Sequence, residues 1–437
     1  MGVERKEKCD EEYNPFEHRD VANPTSNIRA LANLIKASLG SGLLAMPLAF
    51  SNSGWGLGIV GTIIIALVCG HCVWIFVETS RACCKLEEKP LLSYGETCRS
   101  AFSNGPKILR PFATTAHKFA DFALFFTYVG VCCIFTVLTA DSMKQLFDRY
   151  VTSTDLPTEY YCLILLLPFC LMCQIRHLKY LAPFSFIANI LLFATFAICL
   201  YYIFGDKIVM SDKKVVGNIA RFPAFLSTVI FAMEGIGAVM PIENTMKKPQ
   251  HFLGFPGVLV IAMTIILILY STLGLFGYMR YGEVLRGSIT LNLPIDDWPA
   301  ICAKCFITLS IFLTYPIHFY VLVDIFTKYT EPHIKGKYRN AIQIISRAFF
   351  VCFCGGVGIA LPLLEQIINI VGSLFYSILG LIIPGIIETV FRWDNLGKFK
   401  WILFKNIFVV IFGFLCLGSG CSLAILDMIE ILNKKII

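Results

Sequence analysis

The sequence predicts an all-α polytopic membrane protein: about eleven transmembrane helices, five and five in an inverted repeat, with one helix added at the end. Three observations carry that expectation. The first is composition: 57% of the 437 residues are hydrophobic, only 15% are charged, and the mean hydropathy is +0.71. Soluble chains of this length carry about 25% charged residues. The second is a series of apolar segments whose connecting loops alternate in charge. The third is a pair of segments, five apart in that series, that small residues interrupt in similar ways. The net charge of +7 does not mark a nucleic-acid binder, because Lys and Arg fall in short loops between apolar runs rather than in one basic domain.

Residues 1–27 are polar, with Arg5, Lys6, Glu7, Lys8, Asp10, Glu11 and Glu12, and lack the apolar core of a signal peptide; they read as a disordered cytoplasmic tail. Everything from 28 to 437 reads as one transmembrane domain. Segments able to cross about 30 Å of hydrocarbon, at roughly 20 residues each, run at 28–50, 55–80, 118–142, 159–175, 181–204, 218–242, 253–280, 298–327, 341–361, 366–391 and 402–430. The loops after the second, fourth, sixth, eighth and tenth segments hold the basic residues, among them Arg81, Arg99, Arg176, Lys247, Lys248, Lys328 and Arg392. The opposite loops mix acids with their few bases, so the positive-inside rule puts the N-terminus in the cytoplasm and the C-terminus outside. In the interior loop Pro90–Lys118, Leu92, Tyr94, Phe102 and Ile108 fit either a short helix on the membrane surface or a solvated loop.

Because five is odd, a second set of five segments enters from the side opposite the first. Residues 28–204 and 218–391 are therefore expected to form inverted repeats, with 402–430 outside them. The first segment of each set is broken. One carries Lys36-Ala37-Ser38-Leu39-Gly40-Ser41-Gly42 with Pro47 beyond it; the other carries Phe231-Ala232-Met233-Glu234-Gly235-Ile236-Gly237. Backbone amides and carbonyls cannot stay unpaired in hydrocarbon, so breaks at bilayer depth must be satisfied by neighbours, water or a ligand. Glycine removes the Cβ and lets a carboxylate approach the amides at the positive end of the half-helix that follows. Small residues also serve close helix contacts, which is the alternative for Gly40 and Gly42.

A buried carboxylate such as Glu234 either takes up a proton or pairs, which suits a proton carrier or a partner for a substrate amine; a permanent bond to Lys36 is the alternative. Glu243, two turns further on, is within reach of Lys247 and Lys248. Tyr128 and Thr127 in the third segment, Thr308, Ser310, Thr314 and Tyr315 in the eighth, and Ser373, Tyr376 and Ser377 in the tenth are pocket candidates, although hydroxyls also bond their own helix. His71 and His318 titrate near neutral pH unless a carbonyl holds them.

Most of the 18 cysteines lie within apolar segments, where they act as small hydrophobes; Cys83 and Cys84 border a loop and fit palmitoylation. No metal-ligand cluster, nucleophilic triad or phosphate loop is visible, so neither an enzyme nor a bound cofactor or metal is expected.

Lys36 through Pro47, Phe231–Gly237 with Met240–Lys247, and Gly277–Gly282 leading into Gly287–Pro294 together resemble the proton-coupled amino acid transporter branch of the amino acid/auxin permease family, in the form common in insects. Ser93 through Pro106 and Val371 through Glu388 fit as well. The resemblance implies a leucine-transporter-like fold and secondary active transport of small neutral amino acids, often with a proton. It places the chain in the plasma membrane or a lysosomal or late endosomal membrane. The paired breaks and the polar groups beside them give the expected substrate site as Ala37, Gly40, Ser41, Gly42, Tyr128, Phe231, Met233, Gly235 and Thr308, with coupling at Glu234 and Lys36. Relatives often have a His three residues before the Lys; here it is Asn33, which cannot titrate. Proton-independent facilitative transport is the first alternative. The second is an amino acid sensor controlling growth signalling, with the tail docking its partners.

Overall fold

The structure is a computed structural model describing residues 13–21, 24–150, 156–176, 178–205, 213–233, 235–334 and 338–436. Glu234 and the first twelve residues lie outside the described residues. Among the described residues nine helices are long and apolar enough to cross a membrane. A tenth span is the bent pair Asn27–Ser38 and Ser41–Ser53, and the 15-residue apolar helix Thr158–Met172 fills the fourth segment. Numbered in order, span 1 is that bent pair and span 2 is Trp55–Leu86. Span 3 is Ala113–Tyr150, span 4 Thr158–Met172 and span 5 Leu178–Phe204. Span 6 comprises Phe222–Met233 and Ile236–Asn244; spans 7 and 8 are Val258–Tyr281 and Trp298–Thr330. Spans 9, 10 and 11 are Arg339–Ala360, Leu364–Phe391 and Trp401–Ile436.

Burial sorts these spans into an inner and an outer set. Every residue from Ser41 to Phe50 in span 1 is buried, as are Val129–Ala140 of span 3 and Ser227–Met233 of span 6. Spans 4, 5, 9 and 11 instead expose stripes of large apolar side chains, such as Leu163 and Leu167, Phe186 and Phe193, Ile345 and Phe349, Phe408 and Leu415, the surface a hydrocarbon solvent requires. Span 11 is bolted on by polar groups: Glu388 of span 10 accepts from Lys405 Nζ at 2.7 Å and from Asn406 Nδ2 at 2.9 Å.

The interior loop forms a helix, Tyr94–Ser103, opened by a capping box in which the Ser93 hydroxyl accepts from the Glu96 amide and the Glu96 carboxylate accepts from the Ser93 amide. It does not simply lie on the surface. Leu92 and Tyr94 are buried, Tyr94 stacks on Phe76 at 4.2 Å, and its hydroxyl donates to Leu379 O at 2.7 Å. Cys83 and Cys84 are likewise enclosed, at 0% and 1% exposure, which removes them as palmitoylation sites.

The expected loose tail over 1–27 is docked where it is described. Arg19 reaches Glu243 at 3.1 Å, and Arg81 of span 2 reaches the same carboxylate at 3.0 Å. Both guanidinium groups lie against the Phe16 ring. Thr25 and the loop after span 6 exchange backbone bonds, Thr25 N to Thr245 O at 2.8 Å and Lys247 N to Thr25 O at 2.9 Å. The partners of Glu243 are therefore these two arginines, not Lys247 and Lys248. A carboxylate at 1% exposure needs charge-assisted bonds from both sides, and the guanidinium fork supplies them.

Candidate functional site

Span 1 turns through 51° at Leu39 and Gly40. Its second half starts at Ser41 with no side-chain cap, and the second half of span 6 starts at Ile236 behind Gly235, again with none. Each start leaves amides aimed out of the helix, at the positive end of its dipole. The breaks meet. A Cβ on Gly42 would stand 2.7 Å from the Ala232 Cα, a backbone contact that excludes any larger residue. A Cβ on Gly40 would meet nothing within 4 Å, because a cavity begins there.

That cavity has a volume of about 410 Å³. It is lined by Asn33 and Lys36 to Gly42 from span 1, Leu124 to Phe135 positions of span 3, Phe231, Gly235, Gly237 and Pro241 from span 6, Ser310 to Val321 positions of span 8, and Tyr376 and Leu379 from span 10. Of the described residues expected at the substrate and coupling site, Lys36, Ala37, Gly40, Ser41, Gly42, Tyr128, Phe231 and Gly235 all border it. Two do not. Met233 is buried in the packed core at 2% exposure, and the Thr308 hydroxyl donates to Lys304 O at 2.7 Å, away from the cavity. Helical geometry is the reason: the wall of span 8 is the stripe Ile307, Ser310, Ile311, Thr314, His318, and Thr308 is turned about 100° from Ile307. Asn33 and Pro241 are exposed, and the loop after span 6 pairs with Thr25, so the cavity opens on the face that carries the N-terminus.

The donors and acceptors are unevenly placed. Lys36 Nζ donates to Ser185 Oγ of span 5. The hydroxyl protons of Thr127, Ser310 and Thr314 go to Ala123 O, Ala188 O and Ser310 O at 2.7, 2.7 and 2.8 Å, which leaves these oxygens as acceptors. Tyr128 is fixed by the missing side chain at Gly237, where a Cβ would come within 2.7 Å of its hydroxyl; its ring is 6.0 Å from that of His318. Beside the site, span 10 passes through π-helical turns over Val371–Tyr376 and Ile378–Ile382, and Asn369 just before them accepts from Thr228 of span 6 at 3.0 Å. Such turns are frequent at functional positions. A second, polar cavity of about 540 Å³ lies at the far end of span 1, around Ser51, Asn52, Glu365 and Lys434, with Arg221 bonded to Asp427 beside it. The fully buried stretch 41–50 stands between the two.

The family description "transmembrane amino acid transporter protein" matches residues 23–426, nearly the whole chain and both breaks. The chain belongs to this family. As a member of the transmembrane amino acid transporter family it is a multi-pass membrane protein and not an enzyme. It is 37% identical, over 96% of its length and 88% of the relative's, to the proton-coupled amino acid transporter-like protein pathetic of Drosophila melanogaster. It is 26% identical over 343 residues to vacuolar amino acid transporter 3 of Saccharomyces cerevisiae, matching 76% of this chain and 46% of that protein, so it spans about half of that relative. Among solved structures, the inward-facing conformation of Mhp1 superposes with a TM-score of 0.56 at 14% identity, covering 96% of this chain and 92% of the other. The fold is that of leucine-transporter-like carriers, as expected for a family member with paired breaks five spans apart.

Proposed function

We propose that the chain is a secondary active transporter of small neutral amino acids. Access alternates around the breaks in spans 1 and 6, and Lys36 and Glu234 carry proton coupling. The observation that carries this reading is that both breaks border one cavity of about 410 Å³, and each presents uncapped helix amides beside hydroxyl oxygens free to accept. The amides around Ser41, Gly42 and Gly235 suit a carboxylate, and the acceptor oxygens of Thr127, Ser310 and Thr314 suit an ammonium group. Tyr128, Phe231 and Tyr376 narrow the space beside Ala37 and Gly40, which suits a small side chain. Residues 28–204 and 218–391 act as the two rocking repeats, and 402–430 stays outside them. The N-terminus is cytoplasmic and the protein works at the plasma membrane, with a lysosomal or late endosomal membrane as the alternative.

The test is radiolabelled uptake of the twenty amino acids in oocytes, with pH and sodium varied. Saturable uptake of glycine, alanine, serine or proline that rises between about pH 7.5 and about pH 5.5, and loses that rise in Glu234→Gln and in Lys36→Met, is the expected result. Uptake indifferent to pH in wild type and Glu234→Gln alike leaves facilitative transport in place of proton coupling. No uptake of any amino acid defeats the transport reading and favours a sensor.

A further inference from the structure

Where the first halves of spans 1 and 6 stop, two carbonyl groups lose their helical partners. Ser38 O is in the last turn of Asn27–Ser38, and Ala232 O is in the last turn of Phe222–Met233. Each belongs to the negative end of a helix dipole, and both residues are buried, at 7% and 1% exposure, where lipid offers no donor. One side chain meets both. The hydroxyl of Tyr270, a residue of span 7 at 0% exposure, bonds Ala232 O at 2.9 Å and also Ser38 O. A phenol carries a single proton, so two carbonyl ends share one donor.

Convergent carbonyls at half-helix C-termini are the place where carriers of this architecture hold a coupling cation. We propose that in this protein the Tyr270 hydroxyl fills that cationic position. Its proton ties the broken ends of spans 1 and 6 together, and the cycle requires no monovalent metal ion there. Tyr270 is thus a positioning residue, acting on the substrate site through the carbonyl ends it holds. The surroundings keep the two ends fixed rather than letting them collapse onto a vacated position. The backbones meet at Gly42, and span 7 lies so close to the second half of span 1 that a Cβ at Gly274 would stand 2.6 Å from the Phe50 ring and one at Gly277 2.6 Å from the Pro47 ring. Loss of the phenolic oxygen therefore leaves two preset carbonyls facing a small space, a ready ligand pair for sodium or lithium.

The inference rests on the transport reading above, and the experiment separates the two. Wild type and Tyr270→Phe are compared for amino acid uptake in choline, potassium, sodium and lithium chloride, normalised to surface protein, and for thermal melting of the purified proteins in the same salts. Wild-type uptake and melting are expected to be the same in all four. Tyr270→Phe should lose about tenfold in choline, the scale of one unsatisfied buried acceptor. Sodium or lithium should restore part of that uptake and raise the variant's melting temperature while leaving that of wild type unchanged. The proposal is overturned by Tyr270→Phe uptake equal to wild type in choline, by an equal loss in every salt with no salt effect on melting, by a variant that yields no folded protein even in sodium or lithium, or by sodium-dependent wild-type uptake. A wild type that transports nothing defeats the transport reading, and the melting comparison then decides the role of Tyr270 alone.

Discussion

The two breaks look alike as sequence and differ as structure. Span 1 turns by 51° at its break, the one bend above 40° between paired helices among the described residues, whereas Phe222–Met233 and Ile236–Asn244 of span 6 are not among the pairs bent that far. The first redirects the chain and opens a cavity beside Gly40; the second frees amides and carbonyls with a smaller change of direction. Packing explains the difference. Span 6 is confined by span 1 at Ala232 and held at its far end by the Arg81 and Arg19 bonds to Glu243. The first half of span 1 is held by neutral bonds and one lysine instead of a buried ion pair: Thr25 and Asn27 to the loop after span 6, Lys36 to Ser185, and Ser38 O to Tyr270. One break acts as an elbow and the other as a fixed rim.

The comparison can be broken at four positions, in order of decreasing effect. Gly42→Val pushes two methyl groups against the Ala232 backbone; overpacking of this kind costs roughly 1–3 kcal/mol even where neighbours can shift, so uptake should fall to background with surface protein reduced. Glu243→Gln removes the charge between two arginines. Breaking a buried pair costs about 3–5 kcal/mol, and because Arg81 is partly exposed the lower end should apply, read as a lower melting temperature with uptake reduced less than in Gly42→Val. Gly40→Ala places a methyl group in the cavity, where nothing stands within 4 Å. It should raise the KM for uptake about threefold, less than 1 kcal/mol, at unchanged melting temperature. Gly235→Ala brings a methyl group to 3.0 Å from the Ser38 hydroxyl, which can rotate away, so uptake should stay within about twofold. If Gly235→Ala is as damaging as Gly42→Val, the two breaks are equivalent and the contrast is lost.

All eleven spans were legible because hydrocarbon imposes length and apolarity on each segment separately, and the break at Gly40-Ser41-Gly42 was legible because three small residues interrupt an apolar run. What was not legible depends on distant pairing. Arg19 and Glu243 are 224 positions apart, and a charged tail gives no local sign that one arginine will be buried. Tyr270 sits in a plain apolar run, and only the convergence of spans 1, 6 and 7 gives its hydroxyl two acceptors. Thr308, Tyr315, Met233, Ser373 and Ser377 were misplaced for a smaller reason: residue type marked them, but the rotation of their helices decides which side chains reach the cavity.

The Glu388 contacts with Lys405 and Asn406 bear on how the protein is made. Span 11 leaves the ribosome after span 10, so span 10 enters the bilayer with its carboxylate facing Arg392 but without the two groups that hold it most closely. Without the residues from 401 on, that acid would lose the 2.7 Å bond from Lys405 and the 2.9 Å bond from Asn406 and keep the looser contact with Arg392 at 3.9 Å, a poor match for a carboxylate at membrane depth.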